Sequence, residues 1–150
     1  MSTLIRDTLA TGAVATTATN GALAVLGKFE NGNALGPINA VSHIIWGKSA
    51  TKADNFDTTH TVIGSVLNAM AITGWAGIHE LLMPRRRRPS AQRALLAGAA
   101  VSTVAYITDF HVVPKRLTPG FEEKISTKGL YAVYAVLAVA LAAGSLSRNR

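Results

Sequence analysis

Apolar residues run through this chain in long stretches separated by short polar segments. Between Asp7 and Lys28 lie 20 residues without Asp, Glu, Lys or Arg; the corresponding gaps are 22 residues from Asp57 to Glu80, 15 from Arg93 to Asp109 and 19 from Lys128 to Arg148. A helix rising 1.5 Å per residue needs about 20 mostly apolar residues to cross a hydrocarbon layer of roughly 30 Å. Three gaps meet that length directly, and the third meets it once Asp109 is admitted near one end. The pattern predicts four transmembrane helices, at about 7–27, 60–83, 92–113 and 129–147 of a single 1–150 domain. The expected fold class is an all-α integral membrane four-helix bundle.

A soluble bundle is the rival reading, and it requires a polar face at period 3.6 on each helix. The stretch from Leu130 to Leu146 has no charged face, and Thr61 to Met83 carries only Asn68, His79 and Glu80 as strongly polar residues. The first helix is less clear, because Thr16, Thr17, Thr19 and Asn20 interrupt it. Threonine can return its hydroxyl to the backbone and is tolerated in a membrane bundle. Read as a cleaved signal, the same stretch has a broken apolar run and nearly neutral flanks, so a retained helix is expected. Pro84 and Pro114 follow the second and third spans, Gly27 sits where the first should end, and Ser126 or Thr127 is placed to cap the fourth.

Two connecting loops are long. Within 28–59, Pro37 to Gly47 places Ile38, Val41, Ile44 and Ile45 on one helical face and Asn39, Ser42 and His43 on the other. That is too short to span and reads as an amphipathic interfacial or re-entrant helix, with Trp46 at the boundary. Within 114–128, Phe121 and Ile125 lie one turn apart beside Glu122, Glu123 and Lys124, a second short amphipathic surface helix.

Charge sets the orientation. The chain has 15 Lys+Arg against 8 Asp+Glu, and only 15% of its residues are charged. Arg85, Arg86, Arg87 and Arg88 fill the short loop between spans two and three, on the same side as Arg6, Arg93, Arg148 and Arg150. By the positive-inside rule, that side and both termini are cytoplasmic. The four arginines are then topology determinants facing anionic lipid. The basic residues flank apolar spans and form no nucleic-acid-binding motif, so no nucleic acid partner is expected. The absence of cysteine excludes disulfides, thiolate metal sites and cysteine catalysis.

The chemistry-bearing residues gather toward the long-loop side. Asp109 lies within the third span on a stripe of small residues, Ala94, Gly98, Ser102 and Ala105, which turns it toward the bundle. His111, His60 and His43 fall at a similar level, Asn39 accompanies His43, and Asn68 lies about two turns deeper on the His60–Gly64–Asn68 stripe. An intramembrane carboxylate has a partner or a function. Three roles are open for Asp109: an anchor bonded to a loop Lys, Arg or backbone group, a proton or substrate site, or a metal ligand. The histidine spacings match no metal motif, so no metal or other cofactor is expected. His79 and Glu80 form a second polar pair, within reach of the arginine loop.

The segments GPINAVSHIIWG (36–47) and DFHVVPKRLTPGFE (109–122) resemble small four-span bacterial inner-membrane proteins. The resemblance implies an inner-membrane location and attaches no activity. A structural or accessory membrane component without a catalytic motif is expected, homo-oligomeric or bound to another membrane protein through its Ala/Gly faces. The alternatives are a small transporter or channel with a polar site at Asp109, and a metal-dependent membrane enzyme using His43, His60 and His111. A transport role predicts a cavity that reaches Asp109.

Overall fold

The computed structural model describes residues 3–84 and 87–148. These residues form helices, turns and loops, with no strand among them. The main helices are α1 (Thr3–Asn31), α2 (Gly36–Val41), α3 (His43–Trp46), α4 (Ile63–Leu81), α5 (Ala91–Ile107) and α6 (Thr127–Leu146). A π-helical turn at Thr58–Val62 leads into α4, and another at Thr108–Val112 extends α5. Among the described residues four helical stretches are long and apolar enough to cross a membrane: 3–31, 58–81, 91–112 and 127–146. Each overlaps a span expected from the charge gaps.

Small and polar residues are prominent on the inward faces, beside Leu23, Ile72, Leu137 and Leu141, and many large aliphatic residues face outward. Along α1 the buried positions include Asp7, Thr11, Ala15, Thr19, Leu23 and Gly27, one inclined ridge of residues four apart. On α4 the ridge is Gly64, Asn68, Ile72, Ala76 and Glu80, and on α5 it includes Ala94, Gly98, Ser102 and Ala105. The exposed faces carry Leu9, Val66, Met70, Leu96, Val104 and Val139. Small inward residues let backbones approach. A methyl group at Gly98 would run into the Ala138 carbonyl, and Ser102 donates to the Tyr134 carbonyl at 2.5 Å. The helices pack in the order α4–α1–α6–α5; α4 and α5, although consecutive, touch only sparingly.

Local signals explain most helix ends. Asp57 accepts from the His60 amide at 2.6 Å, Ser90 from the Arg93 amide at 3.2 Å and Ser126 from the Gly129 amide at 3.0 Å. These bonds satisfy amides that a helix start leaves without partners. The end of α1 departs from expectation. Gly27 does not stop it; the helix continues to Asn31, and Gly27 makes room for Pro37 and the Asn33 carbonyl.

The long loops fold onto the bundle. All six residues of α2 are buried, so it has no solvent face and is not the amphipathic helix expected. The reason is tight docking: a side chain at Gly64 of α4 would collide with the Ile38 carbonyl. The buried polar face is satisfied internally. The Asn39 amide donates to the Ala53 and Asn55 carbonyls at 2.9 Å, and its oxygen accepts from Thr61 at 2.7 Å. In the second loop Phe121 and Ile125 are buried, with two short 3-10 turns, Lys115–Leu117 and Phe121–Glu123, in place of a longer surface helix. Gly120 adopts φ +90°, a left-handed conformation that favours glycine, against the Ala40 carbonyl and the His43 ring.

Candidate functional site

Asp109 sits in the π-helical turn that follows α5. Such turns widen the helix by one residue and recur at functional sites. Its Oδ2 accepts a hydrogen bond from the Tyr134 hydroxyl of α6 at 2.5 Å. The partner is thus a phenol on a neighbouring span, where a loop cation or backbone group was expected. Tyr134 is held in turn by Tyr106, with ring centroids 5.4 Å apart and edge-on, and by Phe110 at 6.0 Å. Among the described residues no Lys, Arg or His forms an ion pair with Asp109.

A cavity of about 80 Å³ reaches this carboxylate. A buried water needs roughly 10–15 Å³ of such space, so the cavity has room for several waters or a small solute. Its walls are Leu67, Asn68, Ile72 and Trp75 of α4, Thr19 of α1, and Val133, Tyr134 and Leu137 of α6. Leu117, Pro119 and Phe121 of the long second loop complete the lining. Most of this wall is apolar, with Asp109, Asn68, Thr19 and the Tyr134 hydroxyl as its polar points. Asn68 donates to the Asn20 side chain at 2.7 Å, whereas the buried Thr19 hydroxyl has no hydrogen-bond partner among the described residues.

The remaining expected residues scatter. His43 bonds the Ala40 carbonyl at 3.0 Å, and His60 lies 2.9 Å from the Asp57 carboxylate. His111 is exposed with its ring 5.8 Å from Tyr106, and Asn39 is occupied with its loop. Among the described residues no three His, Asp or Glu side chains converge on a point that could hold a metal ion. The structure therefore joins Asp109 and Asn68 along one cavity, while His43, His60, His111 and Asn39 line none of it.

A second charged cluster occupies the opposite end. Arg148, just beyond α6, places Nη1 2.8 Å from Asp7 Oδ2 and 2.5 Å from Glu80 Oε2. Thr11 donates to the other Glu80 oxygen at 2.7 Å, and Arg148 Nε donates to the Ser145 carbonyl at 2.9 Å. All three charged residues are buried, 7% exposed at most. Glu80 thus turns inward to α1 and α6, and its expected pairing with Arg85 or Arg86 of the arginine loop lies outside the described residues. His79 beside it is fully buried, and neither ring nitrogen has a hydrogen-bond partner among the described residues. Asp7 and Arg148 read in sequence as flanking charges. The signal that could have placed Asp7 and Glu80 is the four-residue spacing of small and polar residues on α1 and α4; nothing local marks Arg148.

Of the four loop arginines, Arg87 and Arg88 are exposed, and Arg85 and Arg86 lie outside the described residues. Compared with protein-family models, curated proteins and solved structures, the chain matches none.

Proposed function

We propose that this chain is a multi-pass membrane protein of the bacterial inner membrane, with both termini and the Arg85–Arg88 loop in the cytoplasm. The half of its bundle nearer the long loops holds a small-solute site on a transport path. Membrane residence is supported by the inverted burial pattern. Met70 is 67% exposed, Leu96 65% and Val139 59%, while Asp7, Thr11 and Glu80 are at most 3% exposed. Water would penalise that arrangement, whereas lipid favours it. Location in the inner membrane rests on the resemblance of the 36–47 and 109–122 segments, and orientation on the density of arginine.

The observation that carries the solute site is the cavity that ends at Asp109 and has Thr19 and Asn68 in its wall. A purely structural component has no need for such a space beside an intramembrane carboxylate. The cavity therefore favours the transporter alternative over the accessory role. The opposite end is filled by the Arg148 cluster and by Ala15 and Ala76, which are fully buried. This arrangement is a site accessible from one side and closed on the other.

The chain lacks cysteine, so single thiols report without background. Leu137→Cys lines the cavity and Ala76→Cys lies in the solid half. In membranes the first should react with a small polar thiol reagent added outside, and the second should not. Inertness of both would mean a dry cavity and end the solute reading. For orientation, cysteines at 48–55 should be labelled from outside and a cysteine at 87 should not. Labelling of residue 87 from outside would reverse the topology.

A further inference from the structure

We propose that the Asp109 cavity binds a small organic ammonium cation; this rests on the reading of that cavity as a solute site. Three features of the lining select this class. Asp109 is the only charged residue in the wall, and no cationic side chain among the described residues pairs with it. A positive ligand would supply the missing counter-charge. One of its oxygens accepts from Tyr134, which orients the carboxylate and leaves the other oxygen without a hydrogen bond among the described residues.

The second feature is the aromatic content. Trp75, Phe121 and Tyr134 enter the wall from α4, the second long loop and α6. Three aromatic residues and a single carboxylate in one cavity wall are the residue types that recognise alkylammonium groups, by ring quadrupoles together with one anion. The third is the scarcity of oxygen donors. Beyond Asp109 and Tyr134 the side-chain oxygens in the wall belong to Thr19 and Asn68, and Asn68 is engaged with Asn20. Metal cations such as calcium or magnesium take six or more oxygens. An anion would meet Asp109 directly and is disfavoured. A neutral solute would leave the carboxylate uncompensated.

Phe121 also gives the site a cover. It belongs to the turn that Gly120 seats on α2, so the cation would be capped by the loop. The inner cluster offers nothing comparable, because its carboxylates already face Arg148.

The test uses the full chain in detergent or nanodiscs, with Trp46→Phe leaving Trp75 as the single tryptophan, excited at wavelengths where tyrosine does not absorb. Tetramethylammonium chloride should change Trp75 emission saturably, whereas tert-butanol, a neutral molecule of similar shape, should not. Asp109→Asn keeps an oxygen for Tyr134, so it should fold and weaken binding at least about tenfold, the effect of losing 1.4 kcal/mol. Phe121→Leu should weaken tetramethylammonium about threefold or more. Equal responses to cation and alcohol, or full binding by Asp109→Asn, would overturn the cation. If no cation response appears while Leu137→Cys still reacts from outside, the cation fails and the solute site stands. If the thiol is inert as well, both fall.

Discussion

The two ends of the bundle hold carboxylates in opposite circumstances, with Asp7 and Glu80 buried and Asp109 half-buried. At one end Asp7 and Glu80 share Arg148, and their remaining contacts include Thr11. At the other, Asp109 has a phenol for a partner and a cavity in front of it. A carboxylate removed from water is costly unless it is paired and hydrogen-bonded. The first end meets that requirement within the chain and closes, so its charges serve cohesion. The second meets it in part, through the Tyr134 hydroxyl alone among the described residues. Both ends carry acidic residues, yet only one has the geometry of a site.

Breaking the closed end should have the largest effect. Arg148→Leu takes away the guanidinium that Asp7 and Glu80 share, while Arg6 remains 3.4 Å from Asp7, and removing one partner of a buried ion pair costs about 3–5 kcal/mol. Arg148→Lys should lose less. The combined Asp7→Asn, Glu80→Gln, Arg148→Gln variant should recover much of the loss, because no charge is left alone. Equilibrium unfolding in mixed detergent micelles ranks the three. If Arg148→Leu unfolds like wild type, the cluster is not a clasp.

At the open end the expected losses are smaller. Asp109→Leu strands the Tyr134 hydroxyl and should cost about 1–3 kcal/mol, with Asp109→Asn close to wild type. Tyr134→Phe removes the donor without adding bulk and should cost about 1 kcal/mol. Equal stability of the Leu and Asn forms would deny Asp109 any structural part. A loss matching that of Arg148→Leu would erase the contrast between the ends.

The smallest effect concerns the entry to α4. The His60 backbone amide, and then its ring, hold the Asp57 carboxyl below its ordinary value of 3.8. A value depressed in the folded state contributes stability above pH 3.8, and that contribution disappears as pH falls through the lower folded value. Amide exchange at His60 and Thr61 should therefore accelerate, after correction for intrinsic rates, below pH 3.8. Asp57→Asn should flatten that dependence, since asparagine remains a capping residue. An unchanged profile would show that the carboxylate charge does nothing at this turn.

The spans were legible because charge gaps of helical length are a one-dimensional signal. The inward stripe on α5 was legible for a related reason: Gly98 and Ser102 are small at a spacing that any helix places on one face. The Arg148 cluster was not. Asp7 and Arg148 are 141 positions apart, and each sits where a flanking charge also sits. Only the packing of α1 against both α4 and α6 brings them together. The ridge from Gly64 through Asn68 to Glu80 did carry a clue, because it continues in steps of four to the glutamate. Tyr134 as the partner of Asp109 was hidden because Tyr131, three residues earlier, is chemically equivalent. The choice depends on the rotation of α6, which Ser102 and Gly98 help to set.

The order α4–α1–α6–α5 has a consequence for biosynthesis. A chain made from its N-terminus delivers α1 and α4 first, and these two pack extensively against each other. The next helix, α5, touches α4 only sparingly and makes its main contact with α6, which is made last. During synthesis α5 therefore waits for α6 with Gly98, Ser102 and Asp109 unclaimed by it. The final helix then enters between α1 and α5, brings Tyr134 to Asp109 and carries Arg148 to the two waiting carboxylates. Both polar ends are completed by one late arrival, and a nascent chain halted before it would present Asp109 without Tyr134, and Asp7 and Glu80 without Arg148, to the cell's quality-control machinery.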